Sequence, residues 1–312
     1  MSQNKDRVTD LKEADMKYKN IPKIDLHMHS NVSDGSDSPV EIISQVKKAG
    51  IDIFALTDHD STAGCQQIRE HLKEGDPIFT NGIEFSCEDE LGKYHILGYD
   101  YDDEGQAILK TVKKGHDLRM YKVTARLDFL KDEFGFTFSD QDVARLLAHQ
   151  NPGKPHIGNM MVEYGYAPNR DVAIEEYINK RKVPNEHIGP EEAIHSILES
   201  GGVPVLAHPF FGSGGELVLG KEMEERLVRL MDMGLQGVEA WYSGFSRKLI
   251  GEMLFLADKY QLYVTAGSDY HGSNKLVELG DTNLEPGSPV PEGMIRFLDL
   301  LYKKHKKTLQ SI

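Results

Sequence analysis

Two histidines one residue apart, His27 and His29, close the apolar segment "KIDLHMH", and Asp34 follows five positions later in "SNVSDGSD". Neutral imidazole and carboxylate are both ligands for divalent transition ions, so these three residues have the chemistry of part of a metal site. Residues i and i+2 of a β-strand share a face, and "KIDLH" has the composition of a short buried strand running into a loop. The two rings then project side by side from a strand end, with Asp34 returning from the loop. A hydrogen-bonded histidine pair would read the same way. The motif alone leaves both readings open.

The same residue types recur along the chain. Asp58, His59 and Asp60 stand in "LTDHD", Glu84 in "NGIEFS", His95 in "KYHILGY", His208 in "VLAHP", and Asp269 with His271 in "GSDYH". Each sits in or after an apolar run of strand length. The intervening segments read as helices. In "SDSPVEIISQVKKAG", Ser38 is the expected N-cap, Pro39 the first helical residue, Glu41 the capping-box partner and Gly50 the stop. Alternating strands and helices imply a parallel sheet, and this many units favour a barrel over an open sheet. Between residues 104 and 189 the rhythm changes to long helical stretches without a convincing strand, which reads as a helical insertion. The expected layout is an extension over 1–22, a barrel over 23–103 and 190–312, and the insertion between its two parts. In such a barrel, chemistry gathers at the C-terminal ends of the strands. Six histidines and three carboxylates then converge on one mouth, which packing does not explain.

Composition bounds the functions that remain. The 312 residues carry a formal net charge of −14, with 39% hydrophobic and 28% charged residues, ordinary for a globular protein. Strong acidity argues against a general nucleic-acid binder, which needs a basic surface, and no duplex partner is expected. It does not exclude a nucleotide held in a locally positive pocket. No apolar stretch approaches the roughly 18 residues of a membrane span, and the polar N-terminus has no signal-peptide core. Two cysteines, Cys65 and Cys87, give no disulfide framework. A cytoplasmic protein without a membrane partner is the expectation.

Taken together, "DLHMHSNVSDGSDSP", "ALTDHD", "GIEFS", "AHP" and "GSDYHG" resemble the motif set of the PHP family, the polymerase and histidinol phosphatase superfamily. The resemblance runs from residue 23 to about 275. Within the family the chain is similar to stand-alone phosphoesterases of nucleotides, including 3′,5′-nucleoside bisphosphate phosphatases, which also carry a helical insertion before the "AHP" strand. The resemblance implies an α/β fold, a distorted (β/α)7 barrel, with two to three divalent ions (manganese, iron or zinc) at its mouth. It places a first ion on His27, His29, Glu84 and Asp269, and a second on Glu84, His95 and His208. A third falls to Asp34, His59 and His271. Glu84, His208 and Asp269 are the expected catalytic residues. Three dications against three carboxylates leave the site positive by about three charges, so an acidic protein can hold a phosphate dianion.

The implied chemistry is hydrolysis of a phosphomonoester, with a metal-bridging hydroxide attacking phosphorus. Asp25, Asp58 and Asp60 are expected to orient ligands or loops. Ser30, Arg126, Lys154 and His156 are candidate substrate contacts, the last three being basic residues of the insertion. His71, His116, His149, His187, His195 and His305 read as surface or internally satisfied, and Glu239, Trp241 and Tyr242 as core packing beside the mouth. Competing functions are a histidinol phosphate phosphatase, an exonuclease acting 5′ to 3′ on short RNA, and a non-catalytic metal-binding regulatory module.

Overall fold

The structure, a computed structural model, describes residues 22–309 apart from 150, 182–186, 212–216, 286, 287 and 289; side chains from 304 onward lie outside the description. The expected N-terminal extension is also outside it, save for Pro22.

Seven strands form one sheet in sequence order: β1 (Ile24–Asp25), β2 (Ile53–Leu56), β3 (Ile78–Asp89), β4 (Gly92–Tyr99), β5 (Val203–Leu206), β6 (Gly237–Tyr242) and β7 (Tyr263–Gly267). The short parallel strands are buried on both faces, as expected where helices cover a sheet. The edges meet where Leu26 N–H donates to the Ala266 carbonyl at 2.9 Å, followed by Asp269 N–H to the His27 carbonyl at 2.8 Å. The barrel is therefore nearly closed, and Tyr99 spans its interior to reach the Leu26 carbonyl at 2.9 Å.

Alternation implies a parallel sheet, the fourth strand pairing with its neighbour across the "EDELG" turn, and that strand departs from the parallel direction. β4 runs antiparallel to both β3 and β5. The β3–β4 connection is a tight turn at Asp89–Gly92 rather than a helix, and a turn that short can only reverse direction. The reversal has a functional result. β4 begins at the mouth, so His95 reaches it from the early part of its strand and not from a C-terminal end.

Helices cover the outside. α1 (Pro39–Lys48) starts with the predicted capping box: Ser38 Oγ accepts from the Glu41 amide, and Glu41 accepts from the Ser38 amide at 2.8 Å. α2 (Ala63–His71) follows β2. α1 and α2 pack Ile42, Val46 and Ile68 against Met28, Phe54 and Leu56.

Between β4 and the next barrel helix lie α3 (Gln106–Phe134), α4 (Asp140–Leu147) and α5 (Lys154–Glu163), then a short π-helical stretch at Ala173–Tyr177. These have their own apolar cluster, including Val123, Leu130, Ile157, Met161 and Ile178. The barrel then resumes with α6 (Pro190–Glu199), α7 (Gly220–Asp232), α8 (Arg247–Lys259) and α9 (Glu292–Leu309).

Candidate metal centre

The nine expected residues meet at one mouth, around Glu84. Its side chain is buried and its two oxygens face different partners. Oε2 lies 3.3 Å from His27 Nε2, 3.1 Å from His29 Nε2 and 3.2 Å from His59 Nδ1. Oε1 lies 2.8 Å from His95 Nδ1 and 3.2 Å from His208 Nε2. Asp269 Oδ1 is 3.6 Å from His27 Nε2 and 3.5 Å from His29 Nε2. Asp34 Oδ1 is 3.3 Å from His271 Nε2, and its Oδ2 is 3.9 Å from His59 Nε2.

Three groups have donor atoms all within 4.8 Å of one another: His27, His29 and Asp269; His59, Glu84 and His95; and His29, Asp34, His59 and His271. This grouping differs from the expected one, and Glu84 is absent from the His27, His29 and Asp269 set. His59 turns toward Glu84 as well as Asp34, and His29 joins the Asp34 group through its second nitrogen. His208 stays outside all three, although it touches Glu84.

Three strand-end backbones are adapted to this convergence. Asp60, His208 and Asp269 have φ of 50°, 28° and 58°, uncommon for residues with a side chain. Such strain persists where surrounding contacts enforce it, and it clusters at functional sites. Gly267 has a different reason: a Cβ there would sit 2.2 Å from His27 Cβ and 2.4 Å from Glu239 Oε1.

The electrostatics fit bound cations. Burial disfavours charge on His29, but hydrogen bonds to Asp269 and Glu84 and the nearby carboxylate charges outweigh it, raising the ring to about 10. His27 is raised against its own burial by Glu239, Glu84 and Asp269. Glu84, Asp34 and Asp269 resist burial in the same manner and stay well below the usual carboxylate range, chiefly through facing imidazoles. Burial pushes His59 the other way, to about 3. The field thus selects positive charge between the carboxylates. Among the described residues, His27 Nε2, His29 Nε2, His59 Nδ1 and Asp34 Oδ1 are buried with no well-aligned hydrogen bond, only close approaches to charged neighbours, and all four lie in this space. Buried polar atoms are rarely left so, and dications would satisfy them.

Supporting contacts fix the remaining nitrogens. His27 Nδ1 donates to Glu239 Oε1 at 2.9 Å, and Glu239 Oε2 accepts from the His208 amide at 2.8 Å. His208 Nδ1 donates to the Phe211 carbonyl at 3.0 Å, and His271 Nδ1 to the Asp269 carbonyl at 2.9 Å. Each leaves its Nε2 for the centre, the usual arrangement behind metal-bound histidine. Glu239 is therefore more than core packing. Tyr242 likewise donates to Asp269 Oδ2 at 2.9 Å, and Lys275 meets the same oxygen; Trp241 does pack in the core. Asp25 accepts from Ser268 and Gly280 across the barrel seam. Asp58 binds the loop after His29 through Ser30 and Ser33. Asp60 pairs with Arg119 of α3.

Beside Asp34, His59 and His95 lies a cavity of about 220 Å³. Arg126, Lys154 and His156 line it. So do Lys93, Arg119, Lys122, Ser33, Ser86 and Asn151, which sequence reasoning passed over, and His187. Of the two readings open for His187, the internally satisfied one holds: it lies 3.2 Å from Lys122 Nζ, and burial with that neighbouring cation lowers it to about 3. Ser30 goes elsewhere. Its hydroxyl is buried and donates to Asp58 at 2.7 Å, and Ser33 and Ser86 take the cavity wall in its place.

Comparison with known proteins follows the same lines. The model of the PHP domain matches residues 25–175. A phosphoribosyl 1,2-cyclic phosphate 1,2-diphosphodiesterase of Eggerthella lenta is 30% identical over 258 residues, covering 80% of this chain and 94% of the relative. The chain belongs to the PHP family. A 3′,5′-nucleoside bisphosphate phosphatase of Chromobacterium violaceum is 28% identical over 261 residues, 80% of this chain and 88% of that one. The solved structure of a presumed metal-dependent phosphoesterase from Bifidobacterium adolescentis superposes with a TM-score of 0.74 at 26% identity, over 89% of this chain and 95% of that one. Family membership and the clusters of His, Asp and Glu make this PHP protein a metal-dependent phosphoesterase.

Proposed function

We propose that the protein removes a phosphoryl group from a small nucleotide that carries a second phosphate, a 3′,5′-nucleoside bisphosphate being the best match. One observation carries this reading. A chain with a net charge of −14 directs Lys93, Arg119, Lys122, Arg126 and Lys154 into a single cavity beside the candidate metal centre. A metal centre alone can neutralise one phosphate; Asp60 offsets Arg119, and the four other cations suit a substrate with more charge. The similarity to the C. violaceum bisphosphate phosphatase supports the same assignment.

In this reading His27, His29, Glu84 and Asp269 hold one ion, Glu84 with His95 and His208 a second, and Asp34, His59 and His271 a third, with the helices over residues 104–189 as a cap. The ions, when bound, supply Lewis acidity that activates water at neutral pH and offsets charge on the phosphoryl oxygens. Glu84 keeps neighbouring sites together, because its two oxygens serve different histidines. Arg126 and Lys154 bind and orient the substrate's phosphate oxygens, and a guanidinium does so with two parallel hydrogen bonds. His156 stays neutral, since burial and His149 lower it to about 4, and so acts as a hydrogen-bonding partner rather than a charge.

Product analysis with added manganese, resolving inorganic phosphate, released mononucleotide and opened cyclic ester, tests the proposal on nucleoside 3′,5′-bisphosphates, mononucleotides, 5′-phosphorylated RNA oligomers, a ribose cyclic phosphate and histidinol phosphate. The bisphosphates are expected to give the highest kcat/KM. A higher value for mononucleotide release from RNA oligomers would make the protein an exonuclease, and one for phosphate release from histidinol phosphate would remove the nucleotide altogether.

A further inference from the structure

A groove of about 190 Å³ opens between α4 and α5, next to the phosphate cavity. His156 lines both spaces, and the charge of Asp34 acts on its ring, so the groove begins within electrostatic reach of the candidate metal centre. Leu146 and Met160 are its buried apolar lining. The ring of His149 lies 4.6 Å from that of His156. The rim is polar: Asn159 contributes an amide, and Arg145 pairs with Asp142 at 3.0 Å and Glu163 at 3.2 Å.

This chemistry does not suit another phosphate, because Asp142 and Glu163 would repel it. An apolar lining, imidazole faces and donors and acceptors at the rim match a flat heterocycle, apolar on its faces and polar at its edge. We propose that the groove receives the base of a nucleotide whose phosphates occupy the neighbouring cavity, with His149 stacking against it. The inference rests on the nucleotide reading above.

Manganese-loaded wild type and His149→Ala are compared on a nucleoside 3′,5′-bisphosphate and on its base-less sugar bisphosphate. Stacking of a base on an aromatic ring contributes about 1–3 kcal/mol, a factor of roughly 5 to 150. Wild type is expected to show a lower KM for the nucleotide by that factor. His149→Ala should lose most of the difference with bound manganese unchanged, and His149→Phe should restore it. A 2-aminopurine nucleotide should be quenched on binding wild type and less so on binding His149→Ala. If wild type handles both substrates alike, the nucleotide reading and the base groove fail together. If wild type prefers the nucleotide and His149→Ala keeps that preference, the groove alone is overturned.

Discussion

Glu239 touches no part of the phosphate cavity, yet it governs two candidate ligands, the ring of His27 and the backbone of His208. A glutamine there can accept only one of those two hydrogen bonds, and its NH2 group would face the other donor. Glu239→Gln is therefore expected to weaken binding of the ion on His27 by about 10- to 100-fold, read by titrating manganese into metal-free protein. Unchanged affinity would mean that packing alone orients His27. The ring of His29 makes a second prediction. It is held to about 10 in the ion-free site, above the ordinary value near 6.5, so it is protonated at pH 7 and an entering ion must displace that proton. Its contribution to the stability of the metal-free protein is complete below about pH 6.5 and is lost as pH rises toward 10. Metal affinity should rise over the same interval. Melting curves of chelated protein at pH 6.5, 8 and 10 should descend while manganese affinity climbs; parallel trends would refute it. The nine convergent residues were legible because histidines and carboxylates at strand ends are out of place in a core. Glu239 carried the same signal, a carboxylate inside the buried run "GVEAWY", but one acidic residue among aromatics reads as a wall.

Among the elements, α3 contributes three of the cavity's cations. Arg119, Lys122 and Arg126 stand three and seven residues apart, which puts them on one helical face. That spacing was available in the sequence. It was hidden because the helix has no clean apolar stripe: Lys122 and Arg126 are buried along with Val123 and Leu130, so the usual division into wet and dry faces fails. The direction of β4 was legible in its turn: "KYHILGYD" reads as a strand paired with its neighbour across "EDELG", and a turn that short reverses the chain. If the residues of α3 and α5 recognise phosphate without holding metal, Arg126→Ala and His156→Ala should keep normal manganese content. A charge-assisted hydrogen bond contributes about 1.5–3 kcal/mol, so loss of the Arg126 contact should lower kcat/KM by roughly 10- to 150-fold. Loss of the neutral His156 contact should cost less, about 2- to 12-fold for 0.5–1.5 kcal/mol. Missing manganese in His156→Ala would instead make that residue a ligand, and wild-type kinetics in both would move substrate recognition to the barrel loops.

For the molecule as a whole, a net charge of −14 repels anions at a distance and the basic cavity attracts them close by. Mobile ions screen both, over about 8–10 Å near physiological salt. Capture of a doubly phosphorylated substrate by the cavity should dominate, so its kcat/KM is expected to fall with added salt more steeply than that of a mononucleotide. Stopped-time assays from 20 to 500 mM potassium chloride, taken as about that range, would show it. Equal slopes would mean that the lysines and arginines are too tightly paired to act on solute. The seam between β1 and β7 has a further consequence, which concerns time. Asp25 and Ser268 are 243 residues apart, and Asp25 and Gly280 are 255 apart. At about 5–20 residues per second of synthesis, the first strand waits roughly 12 to 50 s for the last one to exist. Until then His27 and His29 have neither Asp269 nor His271 beside them. Ion capture at full affinity is thereby deferred until the barrel has met its own beginning, so that a loaded metal centre is a mark of a finished chain.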